Sequence, residues 1–318
     1  MPLTLEQYAT YLDSHGASWP AAPPIERPKA RPHITALDGI RAVTWSIYGT
    51  LVNISAGELL FEHPQKFIMD LALEKTVQEF KMWGSMSRKP GQPSEYMGQL
   101  YTKALTELRM VPSPGEKYPE IRAERIWENI VKKLLVKDYK FDAGFYGSLN
   151  EYSRKITFYF HASLQGTACY DGAAATLQGL AERGIAQGVI GEAQCFTLVQ
   201  LQRGLTTQDP AAKVDALIDK DLRALSFEVG AKKPSERLFK TVLTALEAKG
   251  IEPHEVLHVG SRIALDMVPA KKLGMRTALF AGDKASLAAT AEQMKDPASR
   301  PDVLVTALDQ ILEVVPGS

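Results

Sequence analysis

Hydrophobic and polar positions follow two different patterns along this chain. From about Glu58 to Ala162, apolar residues recur every three or four positions, which predicts helices that each bury one face. After Tyr170, short β-prone runs alternate with amphipathic helical segments, and this predicts a parallel sheet with helices on both faces. A further buried strand is predicted at Ala42–Ile47. The helical region therefore reads as an insertion of about a hundred residues into an α/β fold.

The boundaries of the predicted elements come from apolar spacing and from the Gly, Pro and Ser positions. In the helical region, helices are predicted at Phe61–Trp83, Tyr96–Leu108 and Ile121–Val136. In the alternating region, the predicted helices are Gly172–Arg183, Phe196–Arg203, Ser235–Lys249 and Ile263–Leu273. The predicted strands are Gln187–Ile190, Ala224–Phe227, Val256–Val259 and Thr277–Phe280, and the series is completed by Ser286–Met294, Val303–Val305 and Ala307–Val314.

The N-terminal residues differ from both regions. Leu3–Leu12 carries a partial apolar stripe that predicts a short helix, and five prolines follow between Pro20 and Pro32. Such proline density favours an extended arm. Two interpretations stay open. One is a docking arm for a partner, and the other is a strap that lies on its own domain or a loose terminus; the second is favoured, because termini are often only loosely attached. The predicted organisation is an N-terminal arm at 1–35, an α/β core at 36–53 plus 170–318, and a helical cap at 54–169.

Charge and composition narrow the class of protein. Lys plus Arg and Asp plus Glu both number 37, so the formal net charge is zero, which argues against general nucleic-acid binding. No apolar run approaches the roughly 20 residues of a membrane span, and Met1–Ser14 has no signal-peptide pattern. Cys169 and Cys195 are too few for a disulfide framework and lack metal-ligand spacing. We expect a cytoplasmic protein that binds neither nucleic acid nor membrane.

Ligands of parallel α/β sheets bind beyond the carboxyl ends of the strands. The loops predicted there are Ser46–Leu51, Gly191–Gln194, Gly230–Pro234 and Gly260–Asp266, and they read S-I-Y-G-T-L, G-E-A-Q, G-A-K-K-P and G-S-R-I-A-L-D. In that order they resemble the four motifs of the haloacid dehalogenase-like (HAD) superfamily, with Tyr48-Gly49-Thr50 similar to its dehalogenase-like branch. The resemblance covers about Ala42–Gly282. It implies a Rossmann-like parallel-sheet core with an inserted α-helical cap of the C1 type.

The resemblance also implies a role for each motif position. The family's nucleophilic, magnesium-binding aspartate stands at Ser46, its general acid at Tyr48, its phosphoryl-binding hydroxyl at Gly191 and its second metal-binding aspartate at Ser261. The site residues carried over are Ser46, Tyr48, Lys233 and Asp266 at catalytic positions, and Gly49, Thr50, Gly191, Glu192 and Ser261 at ligand-binding positions. No metal or cofactor is predicted, because serines replace the carboxylates that Mg²⁺ prefers.

Three functions are compatible with these residues. The favoured one is a HAD-like protein that has lost the aspartyl-nucleophile, Mg²⁺-dependent chemistry and binds a small anionic ligand in the core–cap cleft, or a partner such as a second copy or another protein. The alternative is a metal-independent hydrolase that uses Ser46 with Lys233 as its base, or a water positioned by Asp266. A third is an interaction module that uses Pro20–Pro32 or the cap surface.

Three further features have a competing structural interpretation. His254-Glu255-Val256-Leu257-His258 spells H-E-x-x-H, but the motif holds zinc only on a helix, and a strand is predicted here. Cys195 follows the second motif and is interpreted as an inert thiol rather than a reactive one. Glu192 is equally compatible with an ion pair to Lys233 and with a purely structural role, in which it solvates the loop or caps the next helix.

Overall fold

Six parallel strands form the main sheet in the computed structural model, which describes residues 1–86 and 92–317. The part of the predicted cap at 87–91 lies outside the described residues. The strands of the described chain are β1 Ala42–Trp45, β2 Val52–Asn53, β3 Ala168–Cys169, β4 Ala186–Gly191, β5 Arg223–Leu225, β6 Val256–Gly260, β7 Arg276–Phe280 and β8 Val303–Val305. The main sheet has the order β5-β4-β1-β6-β7-β8, and β2 pairs with β3 in an antiparallel ribbon.

Helices surround this sheet and build the inserted region. In the N-terminal part and the insertion they are α1 Leu5–Ser14, α2 Lys66–Glu79, α3 Pro93–Arg109, α4 Ala123–Leu135, α5 Ala143–Tyr146 and α6 Leu149–Leu164. In the core they are α7 Ala173–Glu182, α8 Thr197–Gln208, α9 Val214–Leu217, α10 Ser226–Val229, α11 Glu236–Glu247, α12 Val268–Lys272, α13 Ala291–Lys295 and α14 Ile311–Val314. The predicted α/β fold with a Rossmann-like parallel sheet and inserted helices is thereby confirmed.

The central position of β1 follows from its apolar sequence. Val43 and Trp45 belong to the apolar cluster that contains residues of α7, α8 and α14, whereas Ala42 belongs to the cluster that contains residues of α11. Successive side chains of a strand point to opposite faces, so both faces of β1 are covered. Because neither face of β1 is exposed to solvent, its side chains do not alternate between apolar and polar, and the strand is a nearly continuous apolar run.

The register of the three middle strands brings their carboxyl ends to one edge. Trp45 of β1 lies opposite Val189 of β4 and Val259 of β6. The residues that follow these pairs along the three strands therefore meet at the same edge of the sheet. This edge carries Ser46, Gly191 and Ser261.

The inserted helices have an apolar core of their own. Tyr101 of α3, Trp127 of α4 and Phe160 of α6 form an aromatic cluster with ring centroids 4.9–5.6 Å apart. In α2, the buried positions include Leu73 and Val77. Phe67, an apolar residue of the helix predicted at Phe61–Trp83, is exposed, because α3 and α6 pack against the face of α2 that carries Leu73 and Val77.

The N-terminal helix belongs to the same apolar cluster as the cap. Leu5, Tyr8, Ala9 and Leu12 of α1 are buried in it. The hydroxyl of Tyr8 donates to Glu79 at the end of α2. The sequence pattern distinguishes residues 1–35 as an arm, and within this arm α1 packs against the cap. The boundaries 1–35, 36–53 plus 170–318 and 54–169 otherwise stay a prediction.

Several predicted elements differ from the structure at their ends, and two of them lie near the carboxyl edge of the sheet. The strand predicted at Ala224–Phe227 is β5, Arg223–Leu225, and the chain turns into the short helix α10 directly after it. In the segment Ser286–Met294, only its end is helical, in α13. Residues before α13 instead pack under the β1 loop, where Ser286 contacts Gly49 and Gly57 closely.

Within the described residues, no helix is long and apolar enough to cross a lipid bilayer.

Candidate functional site

A cavity of about 150 Å³ lies at the edge of the sheet where β1, β4 and β6 end. The core side of the cavity carries Ser46, Lys233 and Asp266, and its cap side carries Phe61 and Glu120. Seven of the nine site residues predicted from the sequence line it. Six of them are polar or charged, namely Ser46, Tyr48, Glu192, Lys233, Ser261 and Asp266, and the seventh is Gly191. The Tyr48 hydroxyl is turned away from the cavity.

Three buried polar side chains form a closed triangle on the floor of the cavity. The Lys233 Nζ donates to Ser46 Oγ and to Asp266 Oδ1, both at 2.5 Å. The Ser46 Oγ in turn donates to the same Asp266 Oδ1 at 2.8 Å. Each of the three residues is at most 5 % exposed. The lysine charge is therefore neutralised locally, and the serine proton already has an acceptor.

Backbone geometry and charge keep Asp266 ionised. Its Oδ2 accepts the backbone N–H of Arg262 at 2.9 Å, so both carboxylate oxygens are engaged. Burial alone raises the pKa of a carboxyl group, but the Lys233 ammonium and the His258 ring hold the pKa of Asp266 well below its usual range. Asp266 is consequently a fixed negative charge and a weak base.

His258 of β6 lies beneath this triangle. Its Nδ1 is 2.9 Å from the Thr44 Oγ1 of β1, and its Nε2 is 3.5 Å from Ser46 Oγ and 3.7 Å from Asp266 Oδ1. Complete burial lowers the pKa of His258 to about 4, against the effect of the Asp266 carboxylate. The imidazole is therefore neutral at neutral pH. From the sequence, His258 was identified only as a strand residue. The contact of His258 with Thr44 follows from the β1–β6 register, in which the two residues lie opposite each other.

Tyr48 directs its hydroxyl away from the triangle and into the core. The Tyr48 Oη lies 3.0 Å from Thr197 Oγ1 and donates to Gln200 Oε1 at 2.5 Å, both on α8. Burial raises the pKa of Tyr48 well above its usual range. The hydroxyl therefore ties the β1 loop to α8 and is not placed as an acid on the cavity floor.

The substitution Tyr48→Phe tests this structural role. We expect it to lower the free energy of unfolding by about 1–2 kcal/mol, because it leaves the buried Gln200 oxygen without this donor. Urea denaturation measures the change. Tyr11→Phe is the matched control, since the Tyr11 hydroxyl is part of a half-exposed ring and its loss is expected to have an effect below about 0.5 kcal/mol. Equal stability of Tyr48→Phe and the native protein would contradict the assignment.

Two predicted ligand-binding residues do not reach the cavity. Thr50 is fully buried, and its hydroxyl has no hydrogen-bond partner among the described residues. Gly49 has φ +79° and packs against Ser286 and Ser261, so its role is the turn itself. Gly191 does line the cavity, next to Ile47.

Glu192 also lines the cavity, but Lys233 is not its ion-pair partner. In the described part of the chain, Lys233 pairs with Asp266, and Glu192 makes no hydrogen bond or ion pair. Burial raises the pKa of Glu192, while Lys233 and Arg262 oppose this effect. The sequence left two interpretations of Glu192 open. The geometry does not support the first of them, the ion pair with Lys233.

Two cap residues near the cavity were not identified from the sequence. Glu120 accepts the Ser226 hydroxyl at 2.6 Å, and burial together with the charge of Glu192 raises its pKa to about 6. Glu58 pairs with Arg262 at 3.1 Å. Neither lies in a recognisable motif, so only the folded chain brings them to the cavity.

The structure also shows the surroundings of the H-E-x-x-H segment and of Cys195. In the H-E-x-x-H segment, Pro253–Glu255 forms a single 3-10 turn and Val256–Gly260 is strand β6, so His254 and His258 do not share a helical face. Burial raises the pKa of the Cys195 thiol to about 12. A thiol that stays protonated is a poor nucleophile, in keeping with the inert interpretation.

Comparison with known proteins shows the family of this chain. The family model described as "Haloacid dehalogenase-like hydrolase" matches residues 94–280, more than half of the chain. The chain belongs to the haloacid dehalogenase-like hydrolase family. The resemblance seen in the four motifs is thus confirmed.

Individual relatives of this HAD family protein are distant. A glyceraldehyde 3-phosphate phosphatase of Pyrococcus furiosus is 36 % identical over 86 residues, which are 27 % of this chain and 32 % of the relative. The chain therefore spans about a third of that curated relative's length in the match. Similar solved structures are a 2-haloacid dehalogenase from Pseudomonas syringae pv. Tomato DC3000 and a HAD phosphatase from Thermococcus onnurineus. The first has 19 % identity, a TM-score of 0.49 and coverage of 86 % of this chain and 97 % of its own. The second has 17 % identity, a TM-score of 0.46 and coverage of 88 % and 99 %.

The magnesium site implied by the HAD resemblance does not fit the donor groups of this chain. Asp266 already accepts from Lys233, Ser46 and the Arg262 backbone. Ser46 and Ser261 offer neutral hydroxyls where Mg²⁺ prefers carboxylates. Among the described residues, no group of three or more His, Cys, Asp or Glu side chains is arranged to hold a metal ion. The expectation that the protein uses no cofactor stays a prediction.

Proposed function

We propose that this HAD hydrolase family protein binds a small ligand in the core–cap cleft and no longer performs the aspartyl-nucleophile, magnesium-dependent reaction. The observation that carries the proposal is the closed triangle of Ser46, Lys233 and Asp266. A nucleophile needs a free base, and the reacting end of a phosphoryl or carboxylate substrate needs an unpaired positive charge beside that nucleophile. In the triangle, the Ser46 proton is donated to Asp266, and the charges of Lys233 and Asp266 neutralise each other. None of the three groups is therefore free to act on a substrate.

Charges around the cavity restrict the ligand. Arg262 is neutralised by Glu58, and Lys233 by Asp266, so Lys232 is the lining cation without an ion pair in the described part of the chain. Glu120 and Glu192 add negative charge to the same cavity. The anionic ligand predicted from the sequence is therefore proposed with a single negative charge, because a phosphomonoester dianion would meet two carboxylates and one free ammonium group.

A paired assay tests the loss of the family reaction. The native protein, Ser46→Ala and Ser46→Asp are incubated with a panel of phosphomonoesters and 2-haloacids, with and without Mg²⁺. We expect the native protein and Ser46→Ala to give the same background rate on every substrate, since no group on the cavity floor is free to start the reaction. Magnesium-dependent turnover by the native protein, absent from Ser46→Ala, would overturn the proposal.

A second candidate function is favoured by one contact. Lys233 Nζ lies 2.5 Å from Ser46 Oγ, the arrangement that a Ser–Lys nucleophile requires. In this metal-independent hydrolase, Lys233 acts as a neutral amine after giving up one proton to solvent. It accepts the Ser46 proton as the Ser46 oxygen attacks the substrate and passes that proton to the leaving group, and water then hydrolyses the covalent intermediate. The same assay separates the two functions, because this one gives turnover without Mg²⁺ that Ser46→Ala abolishes. A homodimer, a protein partner and a cytoplasmic location stay predictions.

A further inference from the structure

The N-terminal arm makes its first contacts with both the cap and the core. Asp13 at the end of α1 pairs with Arg203 of α8 at 2.6 Å. The Trp19 Nε1 donates to the same Asp13 at 2.9 Å, and the Trp19 ring packs on Tyr159 of α6. The Lys75 side chain of α2 donates to the Ser18 carbonyl at 3.2 Å. This part of the arm therefore bridges a cap surface and a core helix.

The next residues of the arm lie across both connections between core and cap. The outgoing connection begins with β2, and the Asn53 Nδ2 donates to the Pro23 carbonyl at 2.7 Å. The returning connection runs through Gly166 to β3. A Cβ added at Gly166 would lie only 2.1 Å from the Ala21 carbonyl oxygen and 2.4 Å from that of Pro20. The arm backbone is thus in direct contact with each connection, and β2 and β3 pair with each other beneath it.

Beyond the connections, the arm is fixed to the core at two places. Glu26 exchanges hydrogen bonds with the 283–284 loop, where its backbone N–H donates to Asp283 at 3.3 Å and its carbonyl accepts from the Lys284 N–H at 2.7 Å. Further along, His33 forms an isolated antiparallel bridge with Leu304 of β8, with hydrogen bonds of 2.8 and 2.9 Å. Asp283 is itself buried and accepts from the Tyr170 hydroxyl.

We propose that residues 18–33 are a strap that holds the cap in place relative to the core. Opening of a cap requires backbone rotation in the few residues of its connections. In this chain those residues are covered by the strap, whose two ends are attached to cap and core. The cap therefore opens only when the strap leaves the two connections.

Hydrogen-exchange mass spectrometry of the full chain tests the strap. Two variants displace it without truncation. Gly166→Ala places a methyl group against the Ala21 carbonyl, and Asn53→Asp replaces the donor to Pro23 with a carboxylate oxygen. We expect amides of both connections, at 50–60 and 164–170, to exchange at least tenfold faster in each variant than in the native protein. Amides of β1 and β6 are expected to keep their native rates.

Gly98→Ala is the matched control. It adds the same methyl group to a cap glycine, where the nearest contact is an ordinary 3.5 Å to Leu73, and it leaves the strap untouched. Its exchange is expected to equal that of the native protein in both connections. If exchange in the two variants rises only at 18–33, the strap lies passively on the surface and the proposal is wrong. If the Gly166→Ala variant does not fold, the exchange rates of the Asn53→Asp variant in the two connections test the proposal on their own.

Discussion

Replacing Asp266 with alanine is expected to lower the free energy of unfolding by about 3–5 kcal/mol, the range seen when one partner of a buried ion pair is removed. The Lys233 ammonium is 5 % exposed and would keep only the Ser46 hydroxyl as a hydrogen-bond acceptor. A buried charge without its counter-charge is much less stable than the same charge in water. Urea denaturation at pH 7 measures the change.

Two further variants define what the Asp266→Ala result means. Glu236→Ala breaks pairs with Lys240 and Lys272 at the surface, and we expect a far smaller loss of stability from it than from Asp266→Ala, because solvent screens exposed ion pairs. The double variant Lys233→Met/Asp266→Leu removes both charges from the cavity floor. It is expected to recover most of the lost stability, because a buried ion pair and an apolar pair of similar volume are often equally stable. A single Asp266→Ala variant as stable as the native protein would contradict the closed triangle.

Acidification is expected to destabilise the protein well above the pH at which most carboxylates protonate. Burial lowers the pKa of His258 to about 4 and that of His161 in α6 to about 3. Both folded-state values lie below the unfolded value of about 6.5, so the unfolded chain binds protons first. The stability contributed by each neutral ring is complete above about pH 6.5 and is lost as the pH falls towards its folded pKa. We expect a loss on the order of 3 kcal/mol per histidine at about pH 4.

The substitution His161→Phe tests the contribution of one ring alone. Both His161 ring nitrogens lack a hydrogen-bond partner among the described residues, and the ring contacts Phe61, Phe160 and Phe196. Phenylalanine is expected to leave the stability at pH 7 within about 1 kcal/mol and to reduce its loss between pH 7 and pH 4 by about half. Unfolding in urea across this pH range gives both numbers. An unchanged pH dependence would mean that His161 does not titrate on unfolding.

The sequence predicted the fold because its signals are local. Consecutive residues define the β-prone run at Ala42–Ile47 and each of the loops that carry Ser46, Gly191 and Ser261. Parallel strands then bring these loops together at their carboxyl ends. Lys233 and Asp266 could be carried over by position for the same reason. The sequence alone does not determine which carboxylate Lys233 selects, because that depends on the backbone N–H of Arg262 and on distances across the sheet.

The features that the sequence missed depend on contacts between distant segments. The stripe on α1 predicted a helix, but its partner surface includes residues of α6 and α8 that lie far along the chain. Tyr48 was assigned by position to the cavity floor, whereas the acceptors on α8 draw its hydroxyl into the core. Long-range partners of this kind leave no periodic signal in the segment itself.

The bridge between His33 and Leu304 has a consequence for synthesis of the chain. During translation, about 270 residues separate the two positions, an interval of about 15–50 seconds at roughly 5–20 residues per second. Residues 18–33 cannot reach their final place until β8 has left the ribosome. The apolar face of α1 is likewise without its cap surface until α6 has been made, so the nascent chain carries an uncovered Tyr8 and Leu12 for part of that interval. This helix is where we expect a chaperone to bind the growing chain.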